Sequence, residues 1–292
     1  MSEELPSADV RAWANERLGV DGTFHECTRR LAEARSWAVR VDGAPVGWLK
    51  WHRQPDKAAR EARAYGVWLA GMRDVSAEFL GTCPVGRGWM LTRHVPGVPL
   101  DAMEMTDPER RAAYRTLGRT LARLHAVRAD VPEDPVPLHE ALRVRGQAWS
   151  DRGRGAGGFV GLDAVSACLE APWPTTLSRV PCHRDVQLHN VIGRRAEGRL
   201  ITVLIDFGQA RPDVWMVDFV KLFQLPSALV PGAMEACLEG YGRKMDAVER
   251  RTFDRLRVLH GLGTWTWAIS HGDYGVARSA RRVMSDALSV IR

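Results

Sequence analysis

The chain has 292 residues, a net charge of +6 and ordinary apolar and charged fractions of 45% and 26%, which suits a globular protein of one large or two medium domains. No run of 18 apolar residues appears, so no membrane span is expected, and the polar, acidic start "MSEELPSADVRAW" lacks the pattern of a signal peptide; a cytoplasmic location is expected. The five cysteines (Cys27, Cys83, Cys168, Cys182, Cys237) are scattered and odd in number, with no CxxC pair, which argues against a disulfide framework or a zinc site. Residues 8–18 read as a short amphipathic helix. From Thr23 to Trp51, "TFHECTR", "SWAVRV" and "PVGWLKW" read as three antiparallel strands, the last two joined by the turn signal Asp42-Gly43. A helix over 55–72 starts near Pro55, and "VSAEFLGTCPV" and "GWMLTRHV" supply two more strands. The turn-rich "VPGVPLD" (95–101) is expected to be a hinge between lobes spanning 1–94 and 95–292.

Beyond the hinge the pattern is mostly helical. Asp107 and Pro108 open a helix over 107–127, on whose apolar face His125 reads as a hydrogen-bonded core histidine. Residues 130–180 read as irregular. Their run "RGRGAGG" (152–158) contains a formal GxGxxG, but no strand precedes it closely, so a surface loop is expected rather than a dinucleotide site. Two or three helices close the chain. In the last, Val276, Ala280, Val283, Ala287 and Ile291 recur at helical spacing.

The chemistry-bearing residues fall in order along this frame. "PCHRDVQLHN" sets His183, Arg184 and Asp185 five positions ahead of Asn190, and "LITVLIDFG" ends an apolar strand on Asp206-Phe207-Gly208. These match the phosphoryl-transfer pattern H-R-D-x-x-x-x-N followed by D-F-G. In it Asp185 orients the attacking hydroxyl and accepts its proton, while Asn190 and Asp206 offer hard oxygens to Mg²⁺. A hairpin between them, turning near Ala196–Gly198, returns Asp206 to the side of Asn190. In the first lobe Lys50 ends a strand as the cation for the donor phosphates, and Glu61 on the next helix is its expected partner. His183 is read as supporting the loop, and Arg184 as either bracing the loop or facing solvent.

On these residues the chain resembles the aminoglycoside phosphotransferase family, kinase-like enzymes that phosphorylate hydroxyls of antibiotics and metabolites, from about Thr23 to the C-terminus. The resemblance implies an α+β, two-lobed protein-kinase-like fold: a five-stranded antiparallel N-lobe with one helix, a mostly helical C-lobe, and nucleotide between them. It implies ATP, with GTP left open, and Mg²⁺. "MLTRHVPGVPL" is similar to the family's hinge, which makes Thr92 and His94 candidate nucleotide-binding positions, and Asp218 in "DVWMVDFVKLF" matches an aspartate that braces the catalytic loop. Two departures stand out. The first strand connection, "RLAEAR", carries no glycine-rich loop, and the short interval from Asp206 to Asp218, without an APE motif, disfavours a regulated protein kinase.

The expected acceptor is a small molecule. The alternatives are a Ser/Thr hydroxyl of one peptide in natural-product biosynthesis and, in a different class, a silent pseudokinase, against which the intact Lys50, Asp185, Asn190 and Asp206 argue. No nucleic-acid motif is present, and the sequence leaves the oligomeric state open. Residues 241–292 carry ten Lys/Arg against five Asp/Glu, and 143–155 carry four Arg against one Asp. This surplus predicts that the acceptor is not a highly cationic aminoglycoside, because like charges repel. Trp265 and Trp267 read as core.

Overall fold

A computed structural model describes residues 5–27, 34–128, 136–223 and 230–291. The connection in which a glycine-rich loop was sought falls largely outside them. Five antiparallel strands form the first sheet: β1 (Thr23–Glu26), β2 (Ala34–Val41), β3 (Ala44–His52), β4 (Phe79–Thr82) and β5 (Trp89–Arg93), in the order β1-β2-β3-β5-β4. Strand alternation sorts β3 between two faces. Leu49 turns to the outer face, where it joins Trp37, Val39 and Leu91 under Val10, Trp13 and Leu18 of helix α1 (Ala8–Leu18). Gly47 permits that approach, since a Cβ there would stand 2.9 Å from Leu18. Lys50 and His52 turn to the inner face, toward helix α2 (Pro55–Arg63).

The helix expected over 55–72 changes character at Ala64, where a π-helical turn (Ala64–Trp68) takes over. Wider turns of this kind recur at functional sites because they re-aim side chains. Here the turn buries Tyr65 and Trp68.

The second lobe is built on α3 (Asp107–His125), α4 (Leu138–Gly155), α5 (Leu162–Glu170), α6 (Val217–Leu222), α7 (Ala233–Tyr241), α8 (Ala247–Ser270) and α9 (Tyr274–Ile291). Thr106, one residue earlier than expected, caps α3 in a reciprocal box with Glu109, and Asp246 and Glu249 repeat the device on α8. Short strands complete it. β6 (Val98–Pro99), in the expected hinge, pairs with β8 (Val191–Ala196), which pairs with β9 (Arg199–Leu204). β7 (Val180–Cys182) pairs with β10 (Arg211–Asp213).

The irregular reading of 130–180 is corrected. Residues 138–155 and 162–170 are helices, and Arg152–Gly155 belongs to α4 rather than to a loop. Glycine lowers helix propensity, but in α4 it permits close packing. A Cβ on Gly146 would lie 3.0 Å from Leu169 Cβ, and one on Gly153 would lie 3.2 Å from Leu262. α3 and α7 meet more closely still: a Cβ on Gly118 would fall 2.0 Å from the Cys237 carbonyl oxygen, and one on Gly240 1.8 Å from that of Arg115. Among the described residues no helix is long and apolar enough to cross a membrane.

Candidate active site

The inner face of β3 and the end of β9 meet in a cleft between the lobes. Glu61 is 2% exposed and draws three groups together. Lys50 Nζ donates to its Oε2 (2.8 Å) and Oε1 (3.1 Å), His52 Nε2 to Oε2 (2.6 Å), and the Phe207 backbone N–H to Oε1 (3.1 Å). Lys50 also donates to Asp206 Oδ1 at 2.7 Å. Burial opposes the Lys50 charge, but Glu61 and Asp206 overcome it and hold its pKa above the ordinary lysine value. Burial likewise pushes the Asp206 carboxyl up, and Lys50 outweighs this and holds it well below the usual carboxylate range. His52 was not foreseen, although its position two residues after Lys50 on one strand puts both on the same face. Tyr65 was also missed. Standing four residues after Glu61, its hydroxyl accepts from the Asp206 backbone N–H at 3.1 Å.

The expected hairpin is present. β8 and β9 turn through Glu197 and Gly198, both at positive φ, and Val191 pairs with Leu204. The Ile205 N–H then donates to the Asn190 carbonyl at 3.0 Å, which sets Asn190 beside Asp206. Asn190 Nδ2 donates to the Asp185 carbonyl at 3.0 Å, so its side-chain oxygen is the atom left to serve as a ligand. An amide oxygen beside an ionised carboxylate is a donor pair of the kind Mg²⁺ takes.

The 183–190 loop is tied down by Asp218, which is fully buried. The His183 N–H donates to its Oδ2 at 2.9 Å, the Arg184 N–H to Oδ1, and His125 Nε2 to Oδ2 at 2.9 Å. These bonds hold Arg184 at φ +64, a left-handed conformation that a non-glycine residue adopts at a cost. Asp206, at φ +65, is held in the same way by its neighbours. His183 is fully buried; the Asp185 N–H donates to its Nδ1 at 3.2 Å, so Nε2 carries the proton donated to the Ile205 carbonyl at 2.8 Å. His125 is the expected core histidine, with Nδ1 at 2.9 Å from the Tyr241 hydroxyl. His125, Cys182 and Asp218 come close enough to suggest a metal cluster. The histidine and carboxylate atoms are already bonded, however, and burial pushes the Cys182 thiol well up, away from the thiolate that a metal needs.

Two unforeseen side chains grip Asp185. Lys221 Nζ donates to Oδ1 at 2.6 Å and Gln187 Nε2 to the same oxygen at 2.8 Å. Burial pushes the carboxyl up, but Lys221 and then Gln187 more than offset this, so Asp185 titrates below its ordinary value. The Arg184 side chain turns elsewhere, pairing through Nε with Asp213 Oδ2 at 2.9 Å. Thr92 stands opposite Trp48 on the Lys50 face of the sheet. His94 is committed to the sheet end: its N–H donates to the Val46 carbonyl at 3.0 Å and its Nδ1 accepts from the Trp48 indole at 3.1 Å.

A cavity of about 750 Å³ opens beside Lys221 and Gln187, walled by α4, α8 and α9. Trp267, read as core, lines it and is 39% exposed, whereas Trp265 is buried at 3%. Val276, Ala280 and Val283 line this cavity too, while Ala287 is buried in the core.

This architecture has known counterparts. Aminoglycoside phosphotransferase APH(4)-Ia, as a thermostable mutant in ternary complex with ADP and hygromycin B, superposes with a TM-score of 0.68 at 15% identity, covering 97% of this chain and 98% of that one. Macrolide 2'-phosphotransferase MphH from Brachybacterium faecium gives 0.62 at 20% identity, covering 95% and 98%. A gentamicin complex of APH(2")-IIa gives 0.68 at 11% identity, covering 96% of each. At these identities the likeness is one of fold. No curated protein matches the sequence. The model of the phosphotransferase enzyme family matches residues 29–259, from before β2 to within α8 and across every element of the cleft. The chain therefore belongs to the phosphotransferase enzyme family and is a phosphotransferase with an alcohol group as acceptor.

Proposed function

We propose that the protein transfers the γ-phosphoryl group of ATP, with Mg²⁺, to a hydroxyl of a small molecule seated in the cavity beside Asp185, and that this molecule is not a highly cationic aminoglycoside. The observation that carries the reading is the convergence of Lys50–Glu61, Asp206 and Asn190 with the Asp185 loop, next to a cavity of small-molecule size. The lobe of residues 1–94 would hold the nucleotide, and that of 95–292 the catalytic loop and acceptor. When bound, Mg²⁺-ATP supplies the phosphoryl group and the cationic charge that stabilises its transfer.

The protein's own residues do the rest. Asp206 and the Asn190 side-chain oxygen suit the metal by their donor chemistry, and Lys50, held by Glu61, suits the donor phosphates. Thr92 lies on the face that the nucleotide would meet. The two bonds already made by His94 leave Nε2 and the surrounding backbone for any role there. Asp185 accepts a hydrogen bond from the acceptor hydroxyl and takes its proton as the oxygen attacks. Because phosphoryl transfer proceeds through a loose transition state, orientation matters more than basicity, and a carboxylate held by Lys221 and Gln187 suits that task. His183 and Asp218 position the loop without touching the reacting atoms.

Among the described residues no Asp or Glu lines the cavity, which supports the statement on the acceptor. Purified protein with Mg²⁺-ATP should be screened for ADP release across cationic, neutral and acidic hydroxyl compounds. Stimulation by neutral or acidic acceptors is expected. Efficient turnover of kanamycin-like polycations, weakening with salt, would refute the acceptor reading, and no stimulated turnover by any class would count against the phosphotransfer reading.

A further inference from the structure

The charge on the cavity wall does not come from the C-terminal surplus. α8 and α9 contribute Leu259, His260, Trp267 and small residues to the wall, and none of their arginines. Of the arginines in 143–155 only Arg145 reaches the wall; Arg143 pairs with Glu140, Arg154 with Asp151, and Arg152 lies over the Trp149 ring.

The wall nevertheless carries four cations, Arg145, Arg184, Arg211 and Lys221. Lys221 is neutralised by Asp185. Arg145 and Arg184 pair with one carboxylate, Asp213, which is fully buried, with Arg145 Nη1 2.8 Å and Arg184 Nε 2.9 Å from the same Oδ2, and Arg211 adds a third guanidinium to the same wall. Three guanidinium groups against one carboxylate leave a surplus of two positive charges. Among the described residues the Arg211 guanidinium has no hydrogen-bonding or ion-pair partner. The effect shows at both neighbouring titratable groups. Desolvation, then Arg184 and Arg145, pushes Arg211 down to about 9, and the same arginines with Lys221 add to burial in driving His260 well below its ordinary value. His260 is therefore a neutral imidazole whose Nε2 is buried in the wall without a partner. A shared surplus of positive charge and an unmet imidazole nitrogen are what an anionic ligand group would complete.

We infer that the acceptor is a small molecule bearing an anionic group (phosphate, sulfate or carboxylate) held by Arg211 with Arg145, Arg184 and His260, its body lying against Trp149 and Trp267 and its hydroxyl presented to Asp185. The inference rests on the phosphotransfer reading only for that last clause. The anion site is a binding property that can be read without turnover. It also acts as a selectivity filter, since a cationic compound would be repelled by the same arginines.

The test uses phenyl phosphate, benzamide and benzylammonium as probes, titrated by calorimetry against the full-length protein at low ionic strength. Phenyl phosphate is expected to bind, more weakly as salt rises, and benzylammonium not to bind. Arg211→Met should weaken phenyl phosphate about tenfold or more, as expected for losing a hydrogen bond to a charged group. Arg211→Lys should recover part of that loss, and His260→Ala should weaken binding less. Asp185→Asn should keep phenyl phosphate binding, so loss of transfer with retained binding would separate the two readings. Among the described residues Arg211 has no hydrogen-bonding or ion-pair partner to disturb, so Arg211→Met is expected to keep the wild-type melting temperature. Phenyl phosphate binding that is unchanged in Arg211→Met, or benzylammonium binding as tightly as phenyl phosphate, overturns the inference even if phosphotransfer is confirmed. Binding that follows Arg211 in a protein with no transferase activity upholds the anion site and removes only the catalytic reading.

Discussion

Lys221→Met is the most informative perturbation of the proposed machinery, because it removes the strongest partner of Asp185 without touching the carboxylate. The pair is 2.6 Å long, with side chains 28% and 20% exposed. Fully exposed pairs contribute at most about 1 kcal/mol, whereas breaking a buried pair costs about 3–5 kcal/mol. A quarter-exposed pair stands between these limits, and we take about 1.5–3 kcal/mol. The sign follows from the site. Lys221 holds Asp185 below its ordinary value, and the ionised form is the one proposed to act, so wild-type activity should fall only at low pH. In Lys221→Met the acid limb should therefore move up. At neutral pH kcat should drop about 10–100-fold as the carboxylate loses its fixed orientation, with nucleotide KM little changed. The assay is kcat against pH by coupled ADP detection, with Lys221→Arg as the conservative control. An acid limb that stays in place in Lys221→Met, with kcat within about twofold of wild type, would refute the reasoning: Lys221 would not then hold Asp185 in the working enzyme.

Asp185→Asn should cost about 10²–10⁴ in transfer rate, with Mg²⁺-ATP affinity measured by calorimetry close to wild type; retention of a tenth of the activity would contradict its assigned role. Asp206→Ala should lose Mg²⁺-dependent ATP binding together with activity, since it removes a charged metal ligand. Glu61→Ala leaves Lys50 and His52 without their shared carboxylate and should raise ATP KM, though less than Lys50→Ala; wild-type kinetics in Glu61→Ala alone would cancel the pairing and keep the cation role. Gly240→Ala should destabilise by about 1–3 kcal/mol or more in urea unfolding, because its Cβ would overlap the Arg115 carbonyl across the α3–α7 contact. Asp213, held down to about 2 because Arg145 and Arg184 outweigh its burial, contributes stability that is fully present above the ordinary carboxylate value and lost as pH falls toward about 2; stability measured against pH should therefore fall less steeply across that window in Asp213→Asn, and equal slopes would contradict the linkage.

What the sequence determined by itself was the order of the chemistry. Lys50, Glu61, His183-Arg184-Asp185, Asn190 and Asp206 are read from local spacing, and the β8–β9 hairpin from its apolar runs and the turn ending at Gly198, because short-range pattern controls strand alternation and turn conformation. The same locality explains the misses. α4 reads as irregular because Gly146, Gly153 and Gly155 lower its intrinsic helicity, and its compensation, close packing of Gly146 on Leu169 and of Gly153 on Leu262, comes from other helices. Lys221 meets Asp185 across 36 residues, and nothing in "DFVKLF" says which way that lysine points. The sign of the cavity belongs wholly to the tertiary structure. Regional charge predicted positive walls from the C-terminal helices, yet those helices turn their arginines away. The positive charge arises from Arg145, Arg184 and Arg211, which line one wall, the first two paired with the one buried Asp213. An electrostatic field depends on distances in space, and those distances exist only once α4, β7 and β10 have packed together.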